Sequence, residues 1–463
     1  MTSTVELPLW LFVVILLFAA VTAASHLFFP SVRWFLRRRM ERVVARLNRR
    51  LVRPIQPFKL LRRQDMIQRL VYDPEVTRAV VAHAEANNLR EDVAFEIAKR
   101  YAREIVPAFS ATAYFGFAIR ASRWLSTALY RVRLGHWDED AIREIDPEAT
   151  VVFVMNHRSN MDYVLVTYLA ADQSALSYAV GEWARTWPLS PLVRAMGAYF
   201  IRRRSRDALY RKVLAQYVRM ASDAGVTQAI FPEGGLSLDG RIAPPRMGLL
   251  NYIATGDRQG GRDVVFVPVA LNYDRVLEDG VLIAAQSRSE RRFRGSVLVA
   301  LGFILGKLWL WVTFRYRRFG YAAVQFGPPV SLAEMKRGGD DSTKALAEEL
   351  FRRIKRSVPV LPVPMVCLAF EGEDELTVSV TEARVEALLA RMQVSGQLPV
   401  PPRESFAGFG IRQLVDRGLL KRRGERLHAP HAKEPQRTYY ANSVRHLLRE
   451  SGDKIPHTDV RET

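Results

Sequence analysis

The sequence predicts an α/β protein: a mixed, largely parallel sheet with flanking helices, preceded by a transmembrane helix and a helical N-terminal region, and followed by a small α+β module. Three observations carry this. Short apolar runs, "TVVFVM", "YFIRR", "TQAIFPE" and "DVVFVPVAL", alternate with longer helical stretches such as "RDALYRKVLAQYVRMASDAG", and strands alternating with helices build layered α/β folds. An uncharged stretch runs from Leu7 to Val32. Near the other end, "GFGIRQLVDRGLLKRRGERLHAP" reads as a helix followed by a basic hairpin, in the manner of a winged helix.

Taken in order, residues 1–32 are expected to be a membrane anchor. About 23 apolar residues make a helix of roughly 34 Å, enough to cross a bilayer with some tilt. The only charged side chain before it is Glu6, unlike the basic start of a secretory signal. The flank Arg33 to Arg53 holds nine arginines and one glutamate, which by the positive-inside rule puts the rest of the chain in the cytoplasm. Within that flank Leu36, Met40, Val43, Val44, Leu47 and Leu51 fall on one helical stripe. Such a helix lies on anionic headgroups, or packs its stripe on the main domain. The basic helical region is expected to extend over 33–130, with "DPEVTRAVVAHAEANN" opening on an Asp cap and a Pro at the first helical position.

Residues 131–360 are expected to form the sheet-bearing domain. Inside it, "VLVALGFILGKLWLWVTF" (297–314) carries a mid-run Lys307 and two glycines. That makes a second span the least attractive reading, against a segment dipping into the membrane surface or a core helix. The prolines of "SVPVLPVPMV" mark a boundary, leaving 361–463 as the winged-helix-like domain. The chain has 463 residues, a formal charge of +20 and a pI near 10.3, so polyanionic surroundings are expected: membrane, phosphate-bearing substrates or nucleic acid. One cysteine, Cys367, excludes an intrachain disulfide framework and reads as a core thiol.

The chemistry is expected where the first strand ends. "TVVFVMNHRSNMDY" places His157 just past an apolar run and Asp162 five positions on. A neutral imidazole is the natural base for an alcohol proton at neutral pH, and a carboxylate on its other nitrogen fixes the tautomer. On a regular helix these side chains would point about 140° apart. A strand-to-helix junction, with His157 in the turn and Asp162 in the first helical turns, brings them together. Alone, the pair is also what chance spacing supplies.

Three further stretches follow in order: "GAYFIRRR" (197–204), "FPEGGLSLDGR" (231–241) and "VFVPVALNYDRVLE" (265–278). With "HRSNMDY" they resemble the four motifs of the glycerolipid acyltransferase superfamily, and most closely its bacterial membrane glycerol-3-phosphate acyltransferases. "PPRMGLL" and the tail "RTYYANSVRHLL" are similar as well. The resemblance implies that His157 is the base and Asp162 its orienting partner. Arg202 and Arg203 match the paired arginines associated with acceptor binding, Glu233 and Gly234 match the third motif, and Pro268 stands at the centre of the fourth. Gly235 joins Gly234 in letting backbone approach a ligand. The chain departs from the family where its third motif has two arginines, for which Leu236 and Leu238 stand here. Arg241 keeps its place, Arg246 is the usual basic position of the following stretch, and Arg158 is a further substitute for the missing phosphate contact.

The implied reaction moves an acyl group from acyl-CoA or acyl carrier protein to the sn-1 hydroxyl of glycerol 3-phosphate. No metal or cofactor is implied, and backbone N–H groups at the helix start or in the glycine loop are expected to face the oxyanion. Partners are the two substrates and anionic membrane lipids, at a cell membrane crossed once with the catalytic domain on the cytoplasmic side. A lysophosphatidate acyltransferase is the neighbouring alternative. A tethered nucleic-acid binder using the basic tail is the alternative from another class, and it leaves the four ordered motifs unexplained.

Overall fold

The structure is a computed structural model that describes residues 8–17, 38–39, 41–135, 144–169, 174–185, 189–202, 205–255, 262–287, 318–339, 342–392 and 405–449. The chain divides into two compact units, Met1–Ile55 and Gln56–Thr463. In the first, residues 9–17 are helical and expose Leu9, Trp10, Phe12 and Ile15. Residues 41–48 form a second helix, on which Val43, Val44 and Leu47 are half-buried while Arg42 and Arg46 are exposed. Among the described residues no helix is long and apolar enough to cross a membrane. Residues 18–32 of the expected anchor lie outside them, as do the whole of 297–314 and Arg203.

In the second unit the expected helices form with the expected punctuation. Asp73 caps Pro74–Ala86, its carboxylate accepting from Glu75 N, and Pro74 occupies the first turn. Glu91–Ile105 buries Ala94, Ala98 and Ile105, and Ala208–Asp223 buries a continuous apolar face. The strands are β1 (Arg131–Leu134), β2 (Thr150–Met155), β3 (Ser177–Val180), β4 (Tyr199–Phe200), β5 (Gln228–Ile230), β6 (Val264–Tyr273), β7 (Tyr321–Phe326) and β8 (Val330–Ser331). They lie in the order β1-β7-β6-β2-β5-β3-β4, with β8 also on β6. β6 runs antiparallel to β7 and β8, and the other pairings are parallel. The sheet is therefore mixed and largely parallel.

β2 and β6 are buried along their whole length, as strands covered on both faces must be. Alternation divides their side chains between two cores. Val151, Phe153 and Met155 join one; Val152 and Val154 join the other. Pro268 sits mid-strand without breaking the ladder. Its carbonyl accepts from Gly327 N, and its missing N–H falls between the residues paired with β8 and those paired with β7.

The region after residue 360 packs on the sheet as part of the same compact unit. Helices Pro362–Ala369, Val378–Arg391 and Phe406–Asp416 are followed by Glu434–Arg449. A three-stranded sheet of β9 (Glu375–Thr377), β10 (Lys421–Arg423) and β11 (Arg426–His428) joins them. Cys367 is buried in this layer, and burial pushes its thiol up to about 12.

Asp274 locks the layer to the sheet. Its buried carboxylate accepts from Tyr321 N at 2.7 Å and Val363 N at 2.9 Å, capping a helix whose own N-cap, Leu361, has no side-chain acceptor. Burial pushes Asp274 up to about 7 against the pull of those two donors. Asp274→Ala orphans two buried N–H groups at roughly 1–3 kcal/mol each, so a loss of about 2–6 kcal/mol in unfolding free energy is expected from denaturant melts.

Candidate active site

His157 lies two residues beyond the end of β2, where the ladder stops. Asn156 replaces the missing backbone pairing: its amide donates to Leu271 O at 3.0 Å and accepts from Leu271 N at 2.7 Å. The chain then turns into the helix Met161–Leu169. That junction brings His157 Nδ1 to 2.9 Å from Asp162 Oδ2, with both side chains buried.

Four donors converge on the Asp162 carboxylate. Oδ2 accepts from His157 Nδ1, from Arg158 N at 2.7 Å and from Ser159 N at 3.0 Å. Oδ1 accepts from the Tyr273 hydroxyl at 2.7 Å. Because the carboxylate can only accept, Nδ1 carries the proton and Nε2 keeps its lone pair. Among the described residues Nε2 has no hydrogen-bond partner. The imidazole is held by rings as well: Phe231 stacks at 4.3 Å and 30°, and Tyr163 stands edge-on at 5.5 Å. The arrangement is that of a general base with an orienting carboxylate.

The third and fourth motifs hold the turn rather than the imidazole. Glu233 accepts from His157 N at 2.7 Å and from Ala243 N at 2.8 Å, while Ser237 N donates to His157 O at 2.9 Å. Glu278 accepts from Ser159 Oγ at 2.7 Å, Asn160 N at 3.2 Å and Asn160 Nδ2 at 3.1 Å. These contacts correct one expectation. The N–H groups of Arg158 and Ser159 serve Asp162, that of Asn160 serves Glu278, and that of Met161 serves Ser159 Oγ. The helix start therefore has none of them left for an oxyanion.

The expected cations are distributed unevenly. Arg158 is fully buried; Nη1 donates to Gly240 O, and its guanidinium lies 5.2 Å from the Tyr439 ring centroid. Its Nε and Nη2 have no partner among the described residues. Arg246 is exposed before the helix Met247–Ala254 and lies over Gly234, where a Cβ would come within 2.6 Å of its Cδ. Arg241 is 59% exposed, 3.9 Å from Asp239. Gly235 is half-buried in the same loop. Leu236 and Leu238 pack against the core, so no cation could occupy their positions in this conformation without desolvation.

Arg202 departs from its expected part as a ready phosphate ligand. Its fork is closed on Glu104, with Nε to Oε1 at 2.8 Å and Nη2 to Oε2 at 2.6 Å, between the rings of Tyr101 and Tyr210 at 5.1 Å each. Arg185 shares the same carboxylate at 2.8 Å. Burial pushes Glu104 upward, but the summed pull of Arg202 and Arg185 holds it below its ordinary value. The "RR" spacing carried no sign of this partner, which comes from a helix about a hundred residues earlier.

Sequence reasoning also missed Tyr273, Glu278, Phe231 and Tyr439 as parts of the site. Tyr273 and Glu278 stood inside "NYDRVLE", the signal through which they were within reach. Tyr439 lies in "RTYYANS" on the helix Glu434–Arg449, whose Asn442 Nδ2 donates to Asp239 O at 2.8 Å. Gly240 makes that docking possible. Its φ is +85°, and a Cβ there would fall 1.8 Å from Tyr439 O.

Residues 138–272 match the Acyltransferase family model. The glycerol-3-phosphate acyltransferase of Pseudomonas fluorescens (strain Pf0-1) is 26% identical over 421 residues, covering 83% of this chain and 48% of that one. The chain is similar to glycerol-3-phosphate acyltransferases over 83% of its length. A protein of the same name from Ectopseudomonas mendocina (strain ymp) is 28% identical over 420 residues, covering 83% and 49%. The chain thus spans about half the length of the curated relatives it matches. Among solved structures, the 1-acyl-sn-glycerophosphate (LPA) acyltransferase of Thermotoga maritima is 18% identical, covering 56% of this chain and 83% of its own, with a TM-score of 0.29.

Two outcomes test the site as built. Gly240→Ala forces a side chain into the left-handed region and into Tyr439 O, so a loss of about 3 kcal/mol or more is expected in thermal melts. Burial pushes Glu233 up to about 7 from an ordinary 4.5. A raised carboxyl favours the protonated fold: its contribution is full below about 4.5 and is lost as pH rises through about 7. Melting temperatures read from about pH 5 to 8 should fall less steeply in Glu233→Gln, with a residual slope from Asp274.

Proposed function

We propose that the chain acylates the sn-1 hydroxyl of glycerol 3-phosphate from an acyl thioester, producing lysophosphatidate for phospholipid synthesis. The observation that carries this is the buried His157–Asp162 pair, which leaves Nε2 unprotonated and unpartnered among the described residues. The names of the relatives point to the same acceptor.

In the proposed step Nε2 takes the hydroxyl proton as the glycerol oxygen bonds to the thioester carbonyl. The tetrahedral intermediate collapses, the C–S bond breaks, and the imidazolium returns the proton to the leaving thiolate. Charge gathered on the imidazolium is balanced by Asp162, whose remaining donors keep it in place. The acceptor phosphate is assigned to Arg158, whose Nε and Nη2 have no partner among the described residues, and to the exposed Arg246 and Arg241. Arg202, tied to Glu104, sets the shape of the second motif and is not assigned a direct phosphate contact. Arg203 remains a proposed acceptor ligand on the resemblance alone. The domain is proposed to work at an anionic membrane surface, held there by the apolar N-terminal segment and the arginine-rich helix after it. Product and donor both carry lipid chains, which suits that placement.

Replacing a general base costs roughly 10²–10⁴ in rate. His157→Ala is therefore expected to lose about that factor with labelled glycerol 3-phosphate and acyl-CoA in membranes. Asp162→Asn should lose a comparable share through the wrong tautomer, with the KM for acceptor little changed. Labelling of lysophosphatidate and not of glycerol 3-phosphate by the wild type would replace this acceptor with the alternative one. Equal rates for His157→Ala and wild type on both acceptors would remove the assignment.

A further inference from the structure

A second cationic site opens on the same sheet edge as His157, and none of the four motifs contributes to it. A cavity of about 470 Å³ lies between the start of β1, the turn before β7 and the helix Phe406–Asp416; Arg131, Arg318, Arg412, Phe409, Gln413 and Asp416 line it. Three guanidiniums face one carboxylate, and Arg133 lies close by on β1, 5.8 Å from the Tyr321 ring. Among the described residues no carboxylate pairs with Arg131 or Arg318. Arg131 and Arg412 lie over the Phe409 ring at 5.4 and 5.3 Å, and that packing orders long side chains before any ligand arrives.

Register places this cavity relative to the base. Tyr273, whose hydroxyl holds Asp162, pairs with Ala322 of β7, and its neighbour Tyr321 pairs with Arg131 of β1. Because β7 and β1 run opposite to β6, the beginnings of β7 and β1 share the edge where β2 and β6 end. From β2, which His157 follows, to β1 is three strand spacings, about 14 Å. The pantetheine arm of coenzyme A is about as long as four or five extended residues, about 15 Å, which matches that offset.

We propose that the cavity holds the phosphate-bearing nucleotide end of a coenzyme A thioester while its acyl end reaches His157. The volume falls within the range of small-molecule sites, and guanidinium forks fit phosphate oxygens where a bare ammonium would give a point charge. The assignment rests on the proposed acyl transfer and adds to it the donor class, which the motifs leave open between coenzyme A and a carrier protein.

The test uses the full chain carrying Arg131→Gln with Arg412→Gln, neither of which belongs to the catalytic machinery. The KM for acyl-CoA is expected to rise about tenfold or more, the loss expected for charge-assisted phosphate contacts. The KM for glycerol 3-phosphate and the rate with an acyl-N-acetylcysteamine thioester, which has no phosphate, should stay at the wild-type values. Arg318→Gln alone should shift the same KM in the same direction by less. Calorimetric binding of adenosine 3′,5′-bisphosphate to the purified full chain reads the site without turnover. Binding by the wild type and its loss in the double variant would support the site even if no acyl transfer were found. An active double variant with unchanged acyl-CoA KM and unchanged bisphosphate affinity would overturn the proposal and leave the acyl-transfer reading standing. Equal losses on both thioesters, or a loss confined to acyl carrier protein as donor, would overturn it too.

Discussion

The Asp162 carboxylate is the group on which the site depends. A buried carboxylate is costly unless its oxygens are satisfied, and here two backbone N–H groups, a tyrosine hydroxyl and the imidazole satisfy it. Each donor comes from a different constraint. The two N–H groups exist because β2 ends and a helix begins within a few residues. The tyrosine exists because β6 lies beside β2 and ends with Tyr273 at that edge. The imidazole proton is thereby placed by the fold, and the lone pair on the other nitrogen is a consequence of it.

Around this centre the chain uses carboxylates to fasten loops. Glu233 ties the glycine-rich loop to the backbone of His157, Glu278 fastens the helix start, Glu104 holds Arg202, and Asp274 joins β6, β7 and the helix after residue 361. In a chain of net charge +20, most of these acids thus accept from backbone N–H groups and neutral side chains, and Glu104 alone of the four faces arginines, Arg202 and Arg185. The last described helix belongs to the same construction. Tyr440 and Arg417 both bind Asp279 at 2.6 Å, and Tyr439 covers the Arg158 guanidinium. The region after residue 360 therefore forms a wall of the site, which gives a physical reason for a tail signature so far in sequence from the base.

Much of this was legible in the sequence because local rules decided it. The apolar runs became strands, "DP" opened a helix, and the junction after "TVVFVM" put His157 and Asp162 together. The first, third and fourth of the ordered motifs named loops that meet. The partners brought by tertiary packing could not be read. Nothing local marks Glu104 as the acid for Arg202, or the N–H groups of residues 158–161 as consumed. Leu236 and Leu238 announced a departure from the family, but only the fold shows them turned to the core. The domain borders expected at 130 and 360 followed composition, whereas compactness follows contacts: one unit runs from Gln56 to the end of the chain, because β1 and the last helices pack on the same sheet.

The central claim is that the fold alone fixes the proton on Nδ1 of His157. Nitrogen chemical shifts of ¹⁵N-labelled histidine in the full chain, assigned by comparison with His157→Gln and recorded without substrates, report it directly. A pyrrole-type, protonated Nδ1 with a pyridine-type Nε2 is expected. Protonation on Nε2, or rapid averaging between the two nitrogens, would contradict the account.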